Sequence, residues 1–135
     1  MSKQIFVNLA VKDLNKSMEF FKQLGYTFNM QFTNEDAACM VISDSIYAML
    51  LKEEFFKTFT TRGLADATQS KEVLIALSED SKEKVIEHTD KAVAAGATFI
   101  KEQDHGFMFY RAYEDLDGHH WEVVWMDPAA VEPQK

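Results

Sequence analysis

The residues able to do chemistry in this sequence are few, and most of them gather near its end. Glu122 sits in the run Trp121-Glu122-Val123-Val124-Trp125-Met126. Strand alternation sends Glu122, Val124 and Met126 to one face and Trp121, Val123 and Trp125 to the other. A carboxylate in so apolar a strand is costly unless paired. Glu122 is therefore expected either to face a wet cavity and touch a ligand, or to be held in a structural hydrogen bond or salt bridge. His120 shares its parity, and a His-x-Glu pair on one face would suit a weak metal site or general acid–base chemistry. The simpler expectation is that His119 and His120 close the turn Asp115-Leu116-Asp117-Gly118 and face water. Arg111, between Tyr110 and Ala112, would pair with Glu122 or an anionic ligand, or lie at a surface or interface. His105 falls at a hairpin tip, and His88 on the flank of a helical stripe. Cys39 has no histidine or basic neighbour in its strand and reads as a core thiol. No Ser-His-Asp order, phosphate loop or dinucleotide fingerprint is present.

The elements that must position these groups follow a repeated plan. Gln4 to Val11 reads as a strand, with Ile5, Val7, Leu9 and Val11 on one side and Phe6, Asn8 and Ala10 on the other. Asp13 can N-cap a helix whose stripe is Leu14, Met18, Phe21 and Leu24, stopped at Gly25. Three strands are expected next, Thr27 to Phe32, Ala37 to Ile42 and Ile46 to Leu51, with turn clusters between them. The second half repeats this: a strand over Glu72 to Ser78, then a helix capped by Asp80 or Ser81. That helix turns Val85, Thr89, Ala92 and Val93 to its core and stops at Gly96. Strands follow over Thr98 to Lys101, Phe107 to Tyr113 and His120 to Met126. The two helix ends align, Leu24-Gly25-Tyr26-Thr27-Phe28 against Ala95-Gly96-Ala97-Thr98-Phe99. The chain thus reads as one α+β domain over residues 1–127. It holds a first module at 4–51, a linker at 52–71, a second module at 72–127, and a tail at 128–135. Within the linker, Glu53 to Phe59 can form a short amphipathic turn. Phe55, Phe56 and Phe59 would pack across the module junction, or serve a lid or dimer contact.

Composition narrows the partners. With 14 basic and 22 acidic residues among 135, the formal net charge is −8. Such a surface repels nucleic acid and anionic lipid, and no Lys/Arg cluster counters it. A cationic or neutral small ligand remains compatible. No apolar run approaches the ~18–20 residues of a membrane span. A single cysteine and an opening without a signal-peptide pattern lead us to expect a cytoplasmic protein.

The segments Val7-Asn8-Leu9-Ala10-Val11-Lys12-Asp13-Leu14, Ser17, Phe20-Phe21 and Leu24-Gly25 resemble the vicinal oxygen chelate superfamily. That superfamily groups glyoxalase, bleomycin-resistance and extradiol dioxygenase proteins, and the far end matches it at Asp115-Leu116-Asp117-Gly118-His119-His120-Trp121-Glu122-Val123. The chain resembles in particular small bacterial proteins called predicted lactoylglutathione lyases. The resemblance spans Gln4 to Asp127. It implies two tandem βαβββ modules forming a curled mixed sheet around a cavity, and usually a homodimer. In metal-bearing members, two inward residues per module hold a divalent cation. Carried over, those positions fall on Phe6, Met49, Leu74 and Glu122. Phenylalanine and leucine offer no ligand atom, and methionine sulfur is soft, suited to copper(I) rather than hard divalent ions.

The expected function is therefore metal-free binding, or sequestration, of a small molecule in the manner of bleomycin-resistance proteins. An apolar, aromatic pocket would be built from Phe6, Asn8, Met49, Leu74, Arg111 and Glu122, with no cofactor. The alternative is a divalent-metal-dependent lyase or dioxygenase of the glyoxalase type, with non-standard ligands His120 and Glu122.

Overall fold

The computed structural model describes residues 3–130, and the chain divides into two units, residues 1–66 and 67–135. The boundary falls inside the stretch expected to connect the modules.

In the first unit, β1 (Ile5–Val11) leads into α1 (Leu14–Gln23), then β2 (Thr27–Phe28), β3 (Ala37–Val41) and β4 (Ile46–Lys52). The sheet order is β1-β4-β3-β2, with β1 parallel to β4 and the remaining pairs antiparallel. Asp13 caps α1 as expected, its Oδ1 accepting from the Lys16 amide at 3.1 Å. Gly25 ends the helical segment at φ 103°, the left-handed conformation the sequence anticipated. Leu14, Ser17, Phe20 and Phe21 form the buried side of α1, and Phe20 and Phe21 meet edge to face. Burying each ring stabilises the unit by roughly 1.5–3 kcal/mol relative to exposure. Beneath them lie Leu9, Val11, Ala38, Met40, Ala48 and Leu50, all buried.

The expected strand over Thr27 to Phe32 stops at Phe28. The Asn29 side chain accepts from the Gln31 amide at 3.0 Å and starts a 3-10 turn over Met30–Phe32 instead. After β4 comes α2 (Glu53–Phe56), continued by a 3-10 turn at Lys57–Phe59. This segment packs against β1 and β4 of its own unit, and Phe55 meets Phe59 edge to face at 5.1 Å.

The second unit runs β5 (Leu74–Ser78), α3 (Lys82–Ala94), β6 (Thr98–Asp104), β7 (Met108–Glu114) and β8 (His120–Met126). Its order, β5-β8-β7-β6, repeats that of the first sheet, again with the outer strand β5 parallel to its neighbour β8. The two open, mixed four-stranded sheets bear out the reading of tandem βαβββ modules. Ser81 caps α3, accepting from the Lys84 amide at 3.1 Å, and Gly96 stands at φ 117°. Val85, His88, Thr89 and Ala92 face the sheet. Val93 was expected to join them, but it is exposed. Its position is rotated about 100° from Ala92, off the stripe that Val85, Thr89 and Ala92 define. Strand β6 runs past Lys101 to Asp104, its pairing with β7 continuing beyond a register shift between Phe99 and Lys101.

A buried carboxylate fastens the turn before β8. Asp115 Oδ1 accepts from the amides of Asp117 and His119, at 2.9 and 3.0 Å, and Oδ2 accepts from the Trp121 indole at 2.9 Å. Burial pushes this carboxyl above its ordinary range, while the charge of His119 and the three donors pull it back. Gly118 closes the same turn at φ 84°, where a Cβ would lie 2.9 Å from the Thr68 side chain and 3.1 Å from its backbone nitrogen. Lys71 straps that crossing chain down, bonding the carbonyls of Ala67 and Gly118 and pairing with Glu114 at 2.6 Å.

Of the tail expected at 128–135, Pro128–Ala130 forms a 3-10 turn, and the rest lies outside the described residues. Among the described residues, no helix is long and apolar enough to cross a membrane.

Candidate functional site

Each sheet has one face turned to its long helix and one face turned away, and the candidate residues are sorted by that division. In the first unit, β1 pairs with β4 so that Phe6 lies beside Tyr47 and Asn8 beside Met49. These four are on the face away from α1, because their alternates Leu9, Val11, Ala48 and Leu50 are buried beneath it. Phe6 is 48% exposed and stacks on Tyr47, ring centroids 4.8 Å apart and planes inclined by 10°. The Tyr47 hydroxyl donates to the Asp44 carbonyl at 3.0 Å and accepts from the Gln4 amide at 3.3 Å, which holds its ring flat. Asn8 Nδ2 donates to the Phe6 carbonyl at 3.2 Å, an exposed contact that ties the amide along the strand. Cys39 lies opposite Met49 on β3, and burial raises its thiol pKa, consistent with the inert core thiol the sequence implied.

In the second unit, Leu74 pairs with His120 and Ala76 with Glu122, on the face away from α3. Leu74 is 59% exposed. The alternates Trp121 and Val123 are buried on the other side, where His88 of α3 bonds the Tyr113 hydroxyl at 3.1 Å. His88 is thus buried outright, deeper than the flanking position read from the sequence. Burial lowers its pKa to about 4, aided by the charge of Lys91. Glu79 lies 3.7 Å away, but with the His88 pKa lowered to about 4 the imidazole is neutral at neutral pH and the contact is not an ion pair.

For two side chains the structure selects one of the alternatives left open by the sequence. His120 does not face water: its side chain is 11% exposed, and its Nε2 lies 3.0 Å from Glu122 Oε2. Strand parity brings the two together, and a partly buried carboxylate needs a donor. Arg111 does not meet Glu122. Its partner across β7 and β8 is Val123, which puts it on the α3 face, bonded to Glu102 at 2.8 Å and Asp90 at 3.2 Å. The antiparallel register decides this, since Ala112 is the residue opposite Glu122.

The registers also test the four positions carried over from the metal-bearing proteins. Phe6 and Leu74 occupy equivalent places on the outer parallel strands; Met49 and Glu122 occupy equivalent places two residues along the neighbouring strands. Phe6 thus stands to Met49 as Leu74 stands to Glu122, and the four side chains offer one carboxylate, one thioether and two hydrocarbons. Such a set does not fit a hard divalent cation. His120 is the added nitrogen beside Glu122, and its equivalent in the first unit is Tyr47. Among the described residues, no three His, Cys, Asp or Glu side chains gather as a metal-holding group.

Sequence reasoning missed Tyr47, although the alternation Tyr47-Ala48-Met49 placed it on Met49's face. It also missed Glu114, the residue opposite His120 on β7.

Residues 3–43 match the family model described as bleomycin resistance protein-like N-terminal. No curated protein matches the chain. Among solved structures, a hypothetical protein from S. aureus is similar at a TM-score of 0.78 and 26% identity, over 93% of this chain and 95% of that one. A glyoxalase/bleomycin resistance protein/dioxygenase family enzyme from Burkholderia phytofirmans PsJN gives a TM-score of 0.76 at 16% identity, over 93% and 99% of the two chains. The genomically encoded fosfomycin resistance protein FosX of Listeria monocytogenes gives 0.68 at 21% identity, over 93% of each chain.

Proposed function

We propose that this chain, whose opening module matches the bleomycin resistance protein-like N-terminal model and whose fold is similar to that of a glyoxalase/bleomycin resistance protein/dioxygenase family enzyme, binds a small molecule without a metal. The reading rests on one observation: the faces away from the long helices carry exposed apolar side chains where a metal-bearing relative would carry ligands. Phe6 stacked on Tyr47 offers a flat platform for a planar or aromatic body, and Met49 beside it adapts to irregular shapes. Asn8 supplies a polar anchor on the same face. Function by this route is sequestration, in which the ligand is held and withdrawn from solution and no bond is broken. Arg111, engaged on the opposite face by Glu102 and Asp90, takes no part.

A library of planar aromatic compounds, screened by thermal shift in the presence of a chelator, tests this directly. Hits are expected to bind with chelator present. Phe6→Ala should weaken a hit by about tenfold or more, as loss of a stacking ring does. Unchanged affinity in Phe6→Ala would remove the assignment.

A further inference from the structure

The face of the second sheet turned away from α3 carries a group of polar side chains on β6 and β7 that the binding reading leaves unused. Among the described residues of this unit, Lys71, Lys82, Lys84, Lys91 and Arg111 each lie against a carboxylate. Lys101 does not: its ammonium lies over the Tyr110 ring, 5.6 Å from the centroid. The register sets Lys101 opposite Ala112 and Gln103 opposite Tyr110, so the three polar side chains share one face on neighbouring strands. Among the described residues, neither the Tyr110 hydroxyl nor the Gln103 amide makes a hydrogen bond. Lysine on an outer strand such as β6 also discourages pairing with another chain. That duty needs only the charge, and leaves the half-buried Tyr110 ring beneath the ammonium and the adjacent donors without a task.

We infer that Lys101, Tyr110 and Gln103 form an oxyanion-binding subsite, and that its ligand class is a carboxylate carried on an aromatic or apolar body. Lys101 supplies the positive charge, and the Tyr110 O–H and a Gln103 N–H donate to the carboxylate oxygens. The body of the ligand extends along β8 over Val124, opposite Tyr110, and Met126, which is 43% exposed and has the same parity. The net charge of −8 opposes an anion at long range, but salt screens exposed charges beyond about 8–10 Å, which leaves the local donors to decide. Glu122, in the Lys101 row, stands two strands away, about 10 Å, at the edge of that range. The subsite lies wholly within the second unit and stands independently of the Phe6–Tyr47 platform.

Naphthoate and its neutral relative naphthamide are the probes, titrated calorimetrically into the full chain with a chelator present. Side-chain resonances of Lys101 and ring resonances of Tyr110, Phe6 and Tyr47 are followed by NMR. Naphthoate is expected to perturb Lys101 and Tyr110 and to bind about tenfold tighter than naphthamide, an advantage that shrinks as salt rises to about 0.5 M. Lys101→Met keeps the apolar stem and should erase the preference, whereas Lys101→Arg should keep it. Tyr110→Phe should weaken naphthoate about fivefold. Equal binding of the two probes, or a preference that survives in Lys101→Met, overturns the subsite. So does a Lys101→Met chain that self-associates more readily yet binds both probes as before, the result an edge-guarding lysine alone would give. If naphthoate perturbs only Phe6 and Tyr47, the subsite falls and the platform stands. If it perturbs Lys101 and Tyr110 while planar aromatic compounds fail at Phe6, the reverse holds.

Discussion

The two units share one plan and differ in what they place on it. Strand order, parallel outer pair, capped helix and glycine stop recur in both. At equivalent registers the first unit carries Phe6 beside Tyr47 and Asn8 beside Met49, and the second carries Leu74 beside His120 and Ala76 beside Glu122. One face is aromatic and uncharged at those places; the other holds a carboxylate and an imidazole. All four histidines of the chain lie in the second unit. Duplicated backbone geometry therefore fixes where side chains point, while the side chains alone decide the chemistry, which is why fold likeness to glyoxalase-type enzymes does not transfer their activity.

The comparison breaks most visibly under substitutions that touch turn chemistry. Asp115→Ala in the second unit should cost roughly 3–4 kcal/mol, because it strands the buried Trp121 indole N–H and frees two amides. Equilibrium urea unfolding checks this, as a lower midpoint at unchanged slope.

Acid should act next, and on the same unit. His88 has a folded pKa depressed to about 4 from 6.5. A depressed folded pKa means that protonation favours the unfolded chain. Stability is thus complete above about pH 6.5 and declines as pH falls toward 4, by about 3 kcal/mol. Stability measured against pH should show this decline in the native chain and lose it in His88→Gln. The first unit contains no histidine, so this imidazole effect belongs to the second unit alone.

Asn34→Ala is the matching and smaller lesion in the first unit. Asn34 Oδ1 accepts from the amides of Asp36 and Ala37 at 2.8 and 3.0 Å, but at an exposed turn where water replaces it. A cost of about 1 kcal/mol is expected from the same unfolding measurement. A cost equal to that of Asp115→Ala would erase the distinction between a solvated and a buried turn.

Much of this was legible in the sequence because it is local. Strand β8 was read with its observed bounds, and Gly25 and Gly96 marked both helix ends, since a helix stop and an alternating run are written in neighbouring residues. What escaped depends on partners distant in sequence. For Arg111 the sequence leaves open a pairing with Glu122, an anionic ligand or a surface place, and only the register across β7 and β8, which puts Arg111 and Glu122 on opposite faces, excludes the first. For His120 the sequence offers both a pair with Glu122 on one face and the favoured water-facing turn, and the structure shows the pair. The early end of β2 turned on one side-chain bond, from Asn29 to the Gln31 amide, that competes with strand pairing.

On the proposed reading, each module carries a binding face where a metal-bearing relative carries ligands, and no metal is held. The most direct test is metal content per chain of protein purified without a metal-affinity tag, followed by Mn(II) titration under calorimetry. Mn(II) is a divalent ion of the kind that carboxylate, imidazole and water ligands hold, which makes it a fair challenge. The account predicts well under one metal ion per chain and no saturable heat of Mn(II) binding. One tightly held ion per chain, lost with Glu122→Gln or His120→Gln, would contradict it and restore a metal-dependent lyase or dioxygenase with non-standard ligands.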